Sequence, residues 1–194
     1  FFDDAYQTGI AKIEERKIQE SKLKIENVEQ IIKKNKYYES ILYKSGKELE
    51  HVLIEMLVEM LEIKTDFKDT KDEDFSFEKN GIHYLFEFKG LTKDLKKSNI
   101  SQLMTHVYKY AEKKEISDKI IKRIIIVNRF KDIDPKDREL INDSIIDIAK
   151  NKIYNVLIID TLKFLMLFEK YKRVEIVIDE IITSFDQIGL FELS

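Results

Sequence analysis

The chain has 194 residues, of which 43% are hydrophobic and 37% charged, with a formal net charge of −3. That balance supports one medium domain with an ample core and excludes wholesale disorder and a uniformly basic nucleic-acid coat, though not a local basic patch. Having no Cys and only 3 His, it excludes a disulfide framework, a Cys-based zinc site and a cysteine nucleophile, and points any metal toward oxygen ligands.

Residues 10–44 read as one long polar helix. Its apolar positions (Ile10, Ile13, Ile18, Ile25, Val28, Ile32) are sparse and partly seven apart. That pattern suits a coiled-coil arm or a docking helix better than a core helix. Ser45-Gly46 breaks it. Residues 47–63 form a second helix with a dense apolar face, and 64–73 a charged loop. Segments 74–79 and 82–89 alternate as strands around Asn80-Gly81, a strong hairpin signal. A helix is predicted over 98–115, capped by Ser98, and a buried strand over 122–128. Asp134-Pro135 starts a helix running to about Lys150. A strand over 154–159 precedes two helices, 161–171 and 175–188, the last ended by Gly189. The order predicts an α/β fold with a mixed sheet flanked by helices, a long helix before it and helices after it. Three segments are expected: a helical arm (1–44), a core (45–160) and a C-terminal helical extension (161–194). No apolar run approaches the roughly 20 residues that span a bilayer, and no signal peptide is visible. Phe1 in place of an initiating Met suggests a fragment boundary, and the arm could connect to a sensor or motor domain upstream.

The net charge hides a segregation. Residues 1–44 carry +1, 45–88 carry −7, 89–131 carry +8 and 132–194 carry −5. An acidic block beside a basic one can set a carboxylate cluster next to a phosphate-attracting surface, or can be a patchwork of solvated faces.

A two-residue turn at Asn80-Gly81 pairs Lys79 with Ile82 and so sets Asp74 opposite Glu87, with Lys89 on the same face. Opposed like charges destabilise a hairpin unless a cation compensates. Lys89 supplies one charge; a divalent metal would supply more. The plainer alternative is a solvent-facing Asp and Glu neutralised by Lys89. On the second helix, Glu48, Glu55, Glu59 and Glu62 share a wet face, whereas Glu50 falls inside the arc of Leu49, Leu53, Ile54, Leu57, Met60 and Leu61. A carboxylate there is costly unless paired, ion-bound or placed at the helix start.

The chain holds five Glu-x-Lys pairs, but only Glu87/Lys89 ends a hydrophobic strand, follows a facing Asp across a hairpin and has a core-directed Glu on the preceding helix. That ordered set resembles the PD-(D/E)xK nuclease superfamily, the restriction-endonuclease-like fold, over roughly residues 45–160. Glu73 stands where the family's Pro would be. The family's first core strand would fall near 63–68. The resemblance implies phosphodiester hydrolysis, with Asp74, Glu87 and the Phe88 carbonyl holding Mg²⁺ or Mn²⁺ and Glu50 a second metal or its water. It implies that Lys89 positions or deprotonates the attacking water, and that Gln102, on a helix resembling the family's glutamine-bearing helix, orients Lys89 or touches the phosphate.

The basic block then supplies Lys93, Lys96, Lys97, Lys109 and Lys113 to hold a nucleic-acid backbone, most readily DNA. His106 reads as a surface histidine or a phosphate contact. Tyr37, Tyr38, Tyr108 and Tyr110 are either base-stacking or core residues. The expectation is a metal-dependent DNA endonuclease, a homodimer or larger assembly, in a prokaryotic or phage cytoplasm and serving defence against foreign DNA. The alternatives are a catalytically silent nuclease-like binding module and a coiled-coil assembly protein.

Overall fold

The computed structural model describes residues 2–63 and 74–193, so the strand expected near 63–68 and Glu73 fall outside the described residues or at their edge. The chain forms two units, Phe1–Tyr38 and Glu39–Ser194. The first is nearly all of helix α1 (Phe2–Glu39). Ile13, Ile18, Ile25, Val28 and Ile32 are exposed along it, as their sparse spacing predicts.

The second unit opens with a 3₁₀ turn at Ser40–Leu42 and helix α2 (Gly46–Leu61). Leu49, Val52, Leu53, Met56, Leu57 and Met60 recur at helical spacing and are all buried. Strands β1 (Phe75–Lys79) and β2 (Ile82–Gly90) pair antiparallel, from Phe75↔Phe86 to Lys79↔Ile82. Asn80 and Gly81 take φ of +54° and +76°. Two positive φ values define the tight turn whose twist matches that of the strands, and it places the pairs in the predicted register. Helix α3 (Lys97–Lys114) leads to β3 (Ile121–Asn128), α4 (Asp143–Lys150) to β4 (Val156–Asp160), and α5 (Thr161–Lys172) and α6 (Ile178–Ser184) to β5 (Gly189–Leu190).

The described strands form one mixed sheet in the order β1-β2-β3-β4-β5, parallel from β2 onward. On one face Leu85, Ile125 and Ile158 pack with Leu103, Val107, Ile145 and Ala149 of α3 and α4. On the other, Phe86 meets Phe185, just beyond α6, with ring centroids 5.6 Å apart. β2 is covered on both faces: Tyr84, Phe86 and Phe88 are buried on one, and on the other Leu85 is buried with the polar His83 and Glu87. Residues 161–194 belong to the same compact unit as the sheet. Among the described residues no helix is long and apolar enough to cross a membrane.

Three local expectations change. The helix expected from Asp134 to Lys150 is a 3₁₀ turn at Pro135–Asp137, an extended stretch, and α4. Arg138 causes the break: its guanidinium donates to the carbonyls of Ile133 and Leu42 and to Asn128 Oδ1. The Asn142 side chain then accepts from Ser144 N at 2.9 Å and starts α4 afresh. Helix α3 is preceded by Lys96 rather than capped by Ser98, with Asn99 Oδ1 accepting from Lys96 N at 2.9 Å. The last helix stops at Ser184, and Gly189 opens β5 instead of ending a helix.

Candidate active site at the open end of the hairpin

Three elements meet where β1 begins and β2 ends. The close approach of α2 depends on Gly90: a Cβ there would lie 2.5 Å from Ser45 Cα and 3.0 Å from the Lys44 carbonyl. Only a residue without a side chain lets the start of α2 rest on the end of β2. Asn128, at the end of β3 and fully buried, fixes the same corner by donating to the Lys44 carbonyl at 2.8 Å. Glu50, one turn into α2, is half-buried as a result.

Asp74 precedes β1 directly, and the ladder closes at Phe75↔Phe86, one step short of it. Its Oδ2 accepts from Phe88 N at 2.6 Å, so Phe88 meets Asp74 through its amide. Burial is the main reason that the Asp74 carboxyl is pushed up to about 6. The Phe88 hydrogen bond opposes the shift, Glu87 and Glu50 add to it, and Lys89 opposes it. The four residues singled out by sequence therefore share one electrostatic environment.

Glu87 lies deeper than a hairpin face opposite a core would place it, with a side chain only 1% exposed. Both oxygens are engaged: Oε1 by Lys89 Nζ, and Oε2 by His106 Nδ1 at 2.7 Å. Such a buried carboxylate is tolerable because it is paired and hydrogen-bonded. His106 comes from α3, which crosses β2 so that Tyr110 Oη also meets His83 Nδ1, at 3.1 Å. His106 is thus a half-buried partner of Glu87 rather than a surface histidine. The signal for it was present: Leu103 and Tyr110, three before and four after it, are buried on the same helix.

The geometry argues against the expected Mg²⁺ or Mn²⁺. Among the described residues, no group of three or more His, Cys, Asp or Glu is placed to hold a metal ion. The carboxylate meant to coordinate Mg²⁺ or Mn²⁺, Glu87, has both oxygens taken, by Lys89 and by His106, and Asp74 is turned onto the Phe88 amide. The residues present do not fit the metal set of Asp74, Glu87, the Phe88 carbonyl and Glu50.

The remaining candidates are more dispersed. Gln102 is exposed, one turn before His106. Lys109 and Lys113 are exposed further along α3. Lys93, Lys96 and Lys97 are exposed and line a cavity of about 550 Å³ with Phe130, Asn142 and Ser144. Asp94, within that lysine loop, is held by Arg129 Nη1 at 3.0 Å, and Arg129 also pairs with Asp160 at 3.2 Å. No spacing in the sequence marks this buried arginine clamp, which joins the loop to the ends of β3 and β4. Among the tyrosines, Tyr38 and Tyr110 are buried and Tyr108 is exposed. No protein-family model, curated protein or solved structure matches the chain.

Proposed function

We propose that the chain is a nuclease domain with a restriction-endonuclease-like core, hydrolysing phosphodiester bonds of nucleic acid, DNA first. The observation that carries this reading is the convergence of Asp74, Glu87, Glu50 and Lys89, from α2 and the hairpin, within one field at the open end of the hairpin. A perturbed carboxylate beside a lysine and two further acids is what proton-transfer chemistry on an anionic substrate calls for. Hydrolysis needs a water freed of a proton, in-line approach, and cationic support for charge gathering on the phosphate. Lys89 supplies the cation. Asp74, ionised above about pH 6, supplies a proton acceptor. Lys93, Lys96 and Lys97 hold the backbone alongside through contacts that carry no sequence information.

One observation favours a second reading, a module that binds nucleic acid without cutting it: both oxygens of Glu87 are already engaged. The deciding experiment incubates the full chain with labelled single-stranded DNA, double-stranded DNA and RNA. Each is run with and without a chelator, so that the answer presupposes no metal. Cleavage that disappears in Lys89→Ala supports the nuclease. Binding without cleavage under every condition favours the silent module and rejects the enzyme.

A further inference from the structure

The way in which Glu87 departs from a metal-ligand role has a consequence of its own. An ionised carboxylate only accepts hydrogen bonds, so the 2.7 Å contact at Oε2 requires His106 Nδ1 to be the donor. In the neutral ring that leaves Nε2 as a bare acceptor. No partner for Nε2 is found among the described residues, and the His106 side chain keeps 20% of its surface exposed. Lys89 is tied to the other oxygen of the same carboxylate and is similarly part-exposed, at 18%. One buried anion therefore orients a proton acceptor and a cation, both partly exposed, beside each other.

We propose that His106 is a catalytic residue of this site, with Glu87 as the residue that positions it. This rests on the nuclease reading above and deepens it. His106 Nε2, in place of Asp74, removes a proton from water as the water oxygen bonds to phosphorus. The bond from phosphorus to the leaving sugar oxygen breaks, and that oxygen takes a proton from solvent. The products are a phosphomonoester and a free hydroxyl. Glu87 stabilises the imidazolium formed in the step, and Lys89 faces the charge on the phosphoryl oxygens. The imidazolium then returns its proton to solvent.

Two measurements on the full chain test this. Long-range ¹H–¹⁵N NMR reads the tautomer of His106, assigned by comparison with His51→Gln and His83→Gln. The expected signature is an Nδ1–H tautomer that weakens in Glu87→Gln. Steady-state cleavage of labelled DNA is compared for wild type, His106→Asn, His106→Ala and Lys89→Ala. Asn can still donate to Glu87 but cannot accept the water proton, so His106→Asn should fold normally and lose roughly 100-fold or more in kcat with little change in KM. Cleavage by His106→Asn within about threefold of wild type, with Lys89→Ala inactive, overturns the role of His106 and leaves the nuclease intact. An Nε2–H tautomer overturns it whatever the activity. No cleavage by wild type overturns both proposals; the nuclease reading is then the one at fault if the Nδ1–H tautomer is nonetheless observed.

Discussion

Glu87 on β2 and His106 on α3 meet at 2.7 Å, although 19 residues separate them in the chain. Four residues back along the strand and four forward along the helix, His83 meets Tyr110 at 3.1 Å. The helix is thus fastened antiparallel to β2 at two polar points, with Leu85, Leu103 and Val107 sealing the interface between them. The first fastening differs in kind from the second, because it holds a buried charge.

Glu87→Ala should therefore cost more than a cavity. Among the described residues it removes the acceptor shown for both Lys89 and His106, and breaking a buried pair typically costs about 3–5 kcal/mol. Lys89 and His106 are part-exposed and can turn to water, which puts the expectation at the low end, about 3 kcal/mol. Urea unfolding of Glu87→Ala, His106→Ala and the double variant measures it. The double variant should be less destabilised than the sum of the two singles; strict additivity would show that the residues do not interact.

Asp74 should destabilise the protein at neutral pH. Its carboxyl is raised to about 6 in the fold, from an ordinary value of 3.8. The folded chain thus binds this proton more tightly than the unfolded chain does. The stabilisation is complete below about pH 4 and is lost as pH rises through about 6. Asp74→Asn keeps an acceptor for the Phe88 amide and carries no charge. It should gain about 1–2 kcal/mol at pH 7, after discounting for solvent screening of a half-buried group, and nothing at pH 4. Urea midpoints at the two pH values check this. A variant no more stable than wild type at pH 7 would show that Asp74 is not under this strain.

Gly90→Ala tests the seam between α2 and β2. The added methyl would stand 2.5 Å from Ser45 Cα, and backbone must move to admit it. Overpacking of this kind costs about 1–3 kcal/mol. The displacement should also separate Glu50 from Asp74 and so lower the Asp74 pKa. A thermal scan reads the first effect and NMR titration of the Asp74 carboxyl the second. An unchanged melting temperature would mean that the seam yields freely.

Legibility followed the range of the forces. The hairpin register was readable because Asn80-Gly81 encodes its own turn, and Asp74, Glu87 and Lys89 came together through it. The burial of Glu87 was not readable from the hairpin, since the cover comes from α3. The break between Asp134 and Lys150 was hidden for a similar reason. Arg138 is drawn to the carbonyl of Leu42, 96 residues away, and Leu140 is left 90% exposed where a helical pattern would have tucked it in. Lys93, Lys96 and Lys97 could be recognised as a basic run, but the clamp that displays them depends on Arg129 finding both Asp94 and Asp160. Propensity and periodicity describe what neighbouring residues prefer; partners on other elements decide where a buried charge ends.

The Arg129 clamp also fixes how the loop lysines are displayed. If Lys93, Lys96 and Lys97 grip the nucleic-acid backbone, replacing all three with Ala should weaken DNA binding equally for unrelated sequences. It should also flatten the plot of log K against log salt by up to about 2–3, since each phosphate neutralised in duplex contributes about 0.9. Arg129→Met should produce a smaller loss with the lysines intact. It frees Asp94 from its guanidinium, letting the loop shift and exposing an acidic partner to its own lysines. Fluorescence anisotropy over a range of salt concentrations distinguishes the cases. A triple variant with the wild-type salt slope would remove the lysines from the interface, and an Arg129→Met variant with unchanged affinity would show that the loop holds its position without the clamp.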